Sequence, residues 1–112
     1  MSLDLTIRTQ SNFTTDEKGR NTWTVTELEN LHNCWNVLEE MQNYEDLSNC
    51  TTVSFYGKHF HEILRDMKDN VGNVAEHEQE SYKSEIQDLE DFITENNVPN
   101  DDTESYQVHA WW

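Results

Sequence analysis

An α+β domain is the fold class this chain predicts, and three observations carry it. Leu3, Leu5 and Ile7 alternate with Asp4, Thr6 and Arg8, and Tyr106-Gln107-Val108-His109-Ala110-Trp111 alternates again at the other end; a period of two is that of half-buried strands. Between these ends, apolar residues recur three and four apart, the spacing of amphipathic helices. Twelve of the 112 residues are aromatic, with three Gly and one Pro. That aromatic load argues against a disordered acidic tail, and the length fits one compact domain over 1–112.

Taken in order, the first strand is followed by Asp16-Glu17-Lys18-Gly19-Arg20, which is turn material with Gly19 free to adopt positive φ. Thr22-Trp23-Thr24-Val25 then alternates with β-favouring residues, so an N-terminal β-hairpin is predicted. Thr26-Glu27-Leu28-Glu29 has the form of a capping box. Leu28, Leu31, Trp35 and Leu38 follow at helical spacing, which predicts a first helix from Glu27 to about Gln42. Tyr44 to Thr52 is polar and reads as a loop. Ser54 is placed to cap a second helix with Tyr56, Phe60, Ile63, Leu64 and Met67 on one face, although Gly57 weakens its first turn; Asn70 and Gly72 end it. Tyr82, Ile86, Leu89 and Ile93 share a stripe, with Phe92 at its edge, and predict a third helix over roughly Val74 to Asn96. Asn97-Val98-Pro99 stops it, and the C-terminal alternation predicts a last strand joining the hairpin. Phe13, Trp23 and Trp35 are expected in the core.

Charge is the strongest functional constraint. Twenty-three carboxylates against seven cations give a net charge of −16, and from Glu76 onward there are eleven carboxylates and one cation, Lys83. Such a field excludes nucleic acid and anionic membrane as direct partners and favours a basic one. On the third helix, Glu80, Asp88, Asp91 and Glu95 fall within about 80° of arc opposite the apolar stripe. Glu85 and Glu90 flank that stripe, and Asp101, Asp102 and Glu104 would extend the row past the helix end. Either this is a solvated face that aids solubility, or it is a carboxylate ladder for a cationic groove, since its spacing of about 5–6 Å approximates that of strand phosphates.

Other chemistry is poorly supported. His59 and His61 are two apart, which suits chelation from a strand but splays them on a helix, and His77 has no fixed companion. No glycine-rich loop, nucleophile elbow or Cys-x₂-Cys pair is present. The expectation is therefore a non-enzymatic protein without metal or cofactor. No run of 18 apolar residues and no leader peptide is seen, which predicts a cytoplasmic chain with Cys34 and Cys50 as free thiols. In that setting the Asn12-Phe13-Thr14 and Asn49-Cys50-Thr51 sequons go unused. Trp111 and Trp112 either close the core on a terminal strand or, with Tyr106, anchor a partner or second subunit.

The order of these pieces resembles small uncharacterised proteins encoded by bacteriophages and prophages. The residues that carry the likeness are Met1-Ser2-Leu3-Asp4-Leu5, Glu27-Leu28 with Leu31 to Trp35, Val53-Ser54, the acidic stretch from Glu80-Ser81-Tyr82 to Leu89-Glu90, and the aromatic end from Tyr106 to Trp112. The chain departs from that pattern at Trp112, an additional Trp, and at Asn33, where a basic residue is usual. The resemblance implies a viral protein in a host cytoplasm and carries no activity. Joined to the charge, it leads to an expected acidic interaction protein that binds a basic, nucleic-acid-handling host protein, such as a defence nuclease, as an inhibitor or DNA mimic. The competing expectation is an oligomeric assembly module whose contacts are apolar, through Tyr106, Trp111 and Trp112.

Overall fold

A computed structural model describes the backbone of residues 2–15 and 17–112, and the side chains of these except 10–15 and 21–25. Elements follow as β1 (Asp4–Thr15), β2 (Asn21–His32), α1 (Trp35–Met41), β3 (Thr51–Tyr56), α2 (Gly57–Asn70), α3 (Gln79–Glu95) and β4 (Ser105–Trp111). Short 3₁₀ turns at Val71–Asn73 and Glu76–Glu78 join α2 to α3. The strands form one antiparallel sheet in the order β2-β1-β4-β3. The fold is thus α+β, with the N-terminal hairpin and the C-terminal strand in the same sheet.

The helices cover one face of the sheet. Leu5 and Ile7 of β1, Val108 of β4 and Phe55 of β3 point into the core and meet Phe60 of α2 and Phe92 of α3. Phe60 lies edge-on to both Phe92 (5.2 Å) and Tyr106 (5.6 Å), an arrangement that aromatic quadrupoles favour. On the opposite face, cross-strand neighbours form polar rows such as Asn30-Thr6-His109-Thr52, in which Thr52 Oγ1 meets His109 Nδ1 at 2.8 Å. β4 reaches only as far as Arg8 along β1, so the outer half of the hairpin runs beyond the four-stranded sheet. The long dimension of 59 Å against 31 and 23 Å is consistent with that projection.

Three expectations are corrected. The first helix does not start at Glu27: β2 continues to His32 and α1 begins at Trp35. Hydrogen bonding to β1 outweighs the local Thr26–Glu29 signal, and a register shift between Ile7 and Arg8 leaves Leu28 as an extra residue on β2. Leu28 still packs against the core, which is why it mimics a helical position. Ser54 caps no helix, because it lies in β3, whose core-facing residues are Val53 and Phe55. The helix start is set instead at Tyr56, whose N–H donates to His59 Nδ1 at 3.1 Å. The third helix begins at Gln79 rather than near Val74. The expected core roles of Phe13 and Trp23 lie outside the described residues, as does Asp16 of the turn.

Gly57 has a specific reason. A Cβ there would land on the Pro99 carbonyl oxygen. The loop from α3 to β4 crosses the start of α2 at that point, with Lys58 N–H donating to the Asp101 carbonyl (2.9 Å) and Gly57 N–H to that of Glu104 (3.2 Å). His61 Nε2 reaches the Val98 carbonyl at 2.7 Å. The Gly57 and Lys58 bonds satisfy amides that every helix start leaves open.

Candidate acidic interaction site

The carboxylates of α3 separate by flank. Glu90 faces α2 and pairs with Lys68 at 3.3 Å. Asp88, Asp91 and Glu95 line the other flank, where they share a cleft of about 230 Å³ with Glu29, Asn30, Leu31 and His32 of β2. Glu29 is in register with Ile7, whose side chain is in the core, so β2 aims that carboxylate toward the helical layer. Among the described residues, four carboxylates and no Lys or Arg line this space. Its polar partners are local: Gln87 Nε2 donates to Asp91 Oδ1 (2.8 Å), Asn30 N–H to Glu29 Oε1 (3.1 Å) and the Cys34 thiol to Asp88 Oδ2 (3.8 Å). At the end of the cleft His32 Nδ1 is 2.8 Å from Asp4 Oδ1. The bond from His32, helped by Asn30, holds the Asp4 carboxyl below its ordinary range.

The remaining sequence-predicted residues are elsewhere. Glu80 is exposed in the first turn of α3 and outside the cleft. Glu85 is corrected, since it is only 7% exposed and is not a partner-facing group. Its Oε1 accepts the N–H groups of Asn36 (2.8 Å) and Val37 (3.2 Å), and Oε2 accepts Asn36 Nδ2. Cys34 at the α1 N-cap makes no capping bond, and so Glu85 supplies from α3 the acceptor that α1 lacks. Burial pushes its carboxyl up, the Asn36 and Val37 bonds oppose this, and Asp88 adds to the rise.

Asp101, Asp102 and Glu104 are exposed but sit in the loop over the start of α2, not along the cleft flank of α3. Thr103 N–H and Oγ1 both donate to Asp101 Oδ1 (3.0 and 2.6 Å), which lowers its carboxyl. Glu104 Oε2 accepts the Tyr106 hydroxyl at 2.9 Å. Tyr106 is itself corrected as an interface residue: it is 3% exposed and packs on Phe60 and Phe92. Trp111, by contrast, is 57% exposed on the open sheet face, and Trp35, expected in the core, is 38% exposed. Trp35 lies edge-on to Trp112 with ring centres 6.0 Å apart, giving an aromatic cluster near the His32 end of the sheet.

His59 and His61 leave α2 in different directions, the first against Tyr44, Phe55 and Tyr56, the second toward Val98. Among the described residues no group of three or more His, Cys, Asp or Glu is arranged to hold a metal ion, and no helix is long and apolar enough to cross a membrane. Cys34 and Cys50 are both free. Sequence reasoning missed Glu29 because it assigned that residue to a helical cap; its alternation with Leu31 was the available signal. The chain matches no protein-family model, no curated protein and no solved structure.

Proposed function

We propose that this chain is a phage-type acidic interaction protein that binds a basic, nucleic-acid-handling host protein and competes with nucleic acid for it. One observation carries the reading: Glu29, Asp88, Asp91 and Glu95 converge from two elements on one cleft that holds no Lys or Arg among the described residues. Like charges on one face oppose folding. Their grouping on a shaped surface favours a cationic partner, and electrostatic steering would make association fast and salt-sensitive. Glu80 lies further along α3, while Asp101, Asp102 and Glu104 form a separate acidic patch.

The test is a competition. The immobilised chain is exposed to bacterial lysate at low salt, and a retained basic protein is then challenged with duplex DNA. Displacement by DNA is expected, along with at least tenfold weaker retention by the D88N/D91N/E95Q variant. A control that neutralises exposed Glu17, Glu45 and Glu76 should bind as the parent does. Equal losses from both sets would mean that total charge, not the cleft, is recognised.

A second reading has its own observation. Trp35, which is exposed and lies against Trp112, and the separately exposed Trp111 are apolar surface of the kind enriched in binding hot spots. An assembly module built on that surface would sediment as an oligomer and become monomeric in W35S/W111S.

A further inference from the structure

β2 is an outer strand of the sheet, and one bond fixes which of its residues face outward. Asn33 N–H donates to the Leu3 carbonyl at 2.7 Å. In an antiparallel ladder, hydrogen-bonded residues alternate with non-bonded ones. Leu31 and Glu29 therefore direct their backbone groups to Leu5 and Ile7, whereas Asn30 and His32 direct theirs away from the sheet. The Asn30 N–H confirms this direction by donating to the Glu29 carboxylate rather than to β1. Those two outward residues belong to the cleft whose other wall is Asp88, Asp91 and Glu95 of α3. A sheet edge with open N–H and C=O groups is a template for another strand, and extended peptides commonly use such edges.

We propose that the cleft receives a short extended segment rich in Lys or Arg, added antiparallel or parallel to β2 as a fifth strand beside α3. The proposal rests on the acidic-surface reading above and specifies its mode of recognition. Backbone bonds to His32 and to the Asn30 carbonyl would hold the segment at about 4.8 Å from β2, with the Asn30 N–H exchanging its local acceptor, the Glu29 carboxylate, for the segment. Its side chains at alternate positions, about 7 Å apart, would face α3, where Asp88, Asp91 and Glu95 span about 10 Å of helix. Charge selects the occupant: an extended acidic or neutral segment gains nothing from four carboxylates, and a helical one cannot bond to the edge. A second copy of this chain is disfavoured by its own charge of −16. The segment must be short, because the irregularity at Leu28 interrupts the edge on one side and Asn33, with φ of 57°, ends it on the other.

The probe is an eight-residue peptide of alternating Arg and Val, capped at both ends, measured by calorimetry at low salt with amide exchange followed by NMR. Binding is expected to slow exchange at Asn30 and His32. The same peptide N-methylated at alternate residues keeps its charge but cannot pair as a strand, and should bind at least tenfold more weakly. Asn30→Pro removes one outward donor and leaves the β1 backbone ladder in place, as proline can at an edge. Because it also removes the Asn30 Nδ2 bond to Asp4, it is compared with Asn30→Ala, which loses only that side chain. Only the Pro variant should weaken the parent peptide similarly. Equal binding of the two peptides by the wild-type chain, or no change in exchange at Asn30 and His32, overturns strand addition. Charge-dependent binding that persists in that case leaves the acidic-surface reading standing; failure of the unmethylated peptide to bind at all overturns strand addition alone, since the host-protein competition tests the broader reading separately.

Discussion

Glu85 shows how one residue can look like surface and serve as structure. Its position between acidic neighbours suggested a ladder, but its carboxylate closes the start of α1 from a helix 48 residues away. Glu85→Ala would leave the half-buried Asn36 amide and the buried Val37 amide without an acceptor, at a cost of about 1–3 kcal/mol. Glu85→Gln keeps one acceptor oxygen and removes a buried charge, so chemical denaturation should place it between the parent and the Ala variant. Gly57→Ala is the second residue-scale prediction. The added methyl meets the Pro99 backbone, not a flexible side chain, and overpacking of this kind costs about 1–3 kcal/mol despite Ala being the better helix former. Cys34 gives a chemical readout. Burial above all, then the nearby Glu85 and Asp88, pushes its thiol up to about 12, and a protonated thiol is a poor nucleophile. An aromatic disulfide reagent should therefore label Cys50 in the folded chain and both cysteines only after denaturation.

At the scale of elements, legibility tracked the competition between local and distant signals. α3 and the start of β1 were readable because their periodicity agrees with their tertiary surroundings, and the same periodicity placed Asp88, Asp91 and Glu95 on one flank. β3 was not readable: Thr51 to Tyr56 is only six residues, and Ser54 followed by Tyr56 and Phe60 imitates a capped helix. The end of β2 was hidden because the extra residue at Leu28 puts Leu28, Leu31 and Trp35 at helical spacing without a helix. Half of the cleft was lost with it, since Glu29 acquires its role only once β2 lies beside α3. The carboxylates of α3 also make an element-scale prediction. Neutralising Asp88, Asp91 and Glu95 relieves like-charge repulsion, which is worth a few tenths of a kcal/mol for each pair. The triple variant should thus melt at the parent's temperature or slightly above it, so that any loss of partner binding is a loss of recognition. A clearly lower melting temperature would show that these side chains hold the fold.

Across the whole molecule, charge and stability are linked in a direction that can be measured. Burial raises the carboxyls of Glu85 and Glu40, the latter also through Asp66 and Glu39. The folded chain thus holds these protons more tightly than the unfolded chain, and the stability they contribute is lost as pH rises from about 4.5 through their folded values. Hydrogen bonds lower Asp4 and Asp101, through His32 and Thr103 respectively. Their contribution is present above about 3.8 and is lost as pH falls through their folded values. Between these windows stability should peak in mildly acidic solution, where protonation also begins to relieve the −16 charge. Melting temperature is expected to rise as pH falls from neutral toward about 4.5 and to fall once pH is taken well below about 3.8. Salt should act in the same sense at neutral pH, because raising ionic strength from 0.01 to 0.15 M shortens the screening length from about 30 to about 8 Å. The salt effect should shrink in mild acid, where there is less repulsion to screen. A melting temperature that drops on moving from neutral pH toward about 4.5, or that is indifferent to salt at neutral pH, would show that neither the raised carboxyls nor self-repulsion governs this fold.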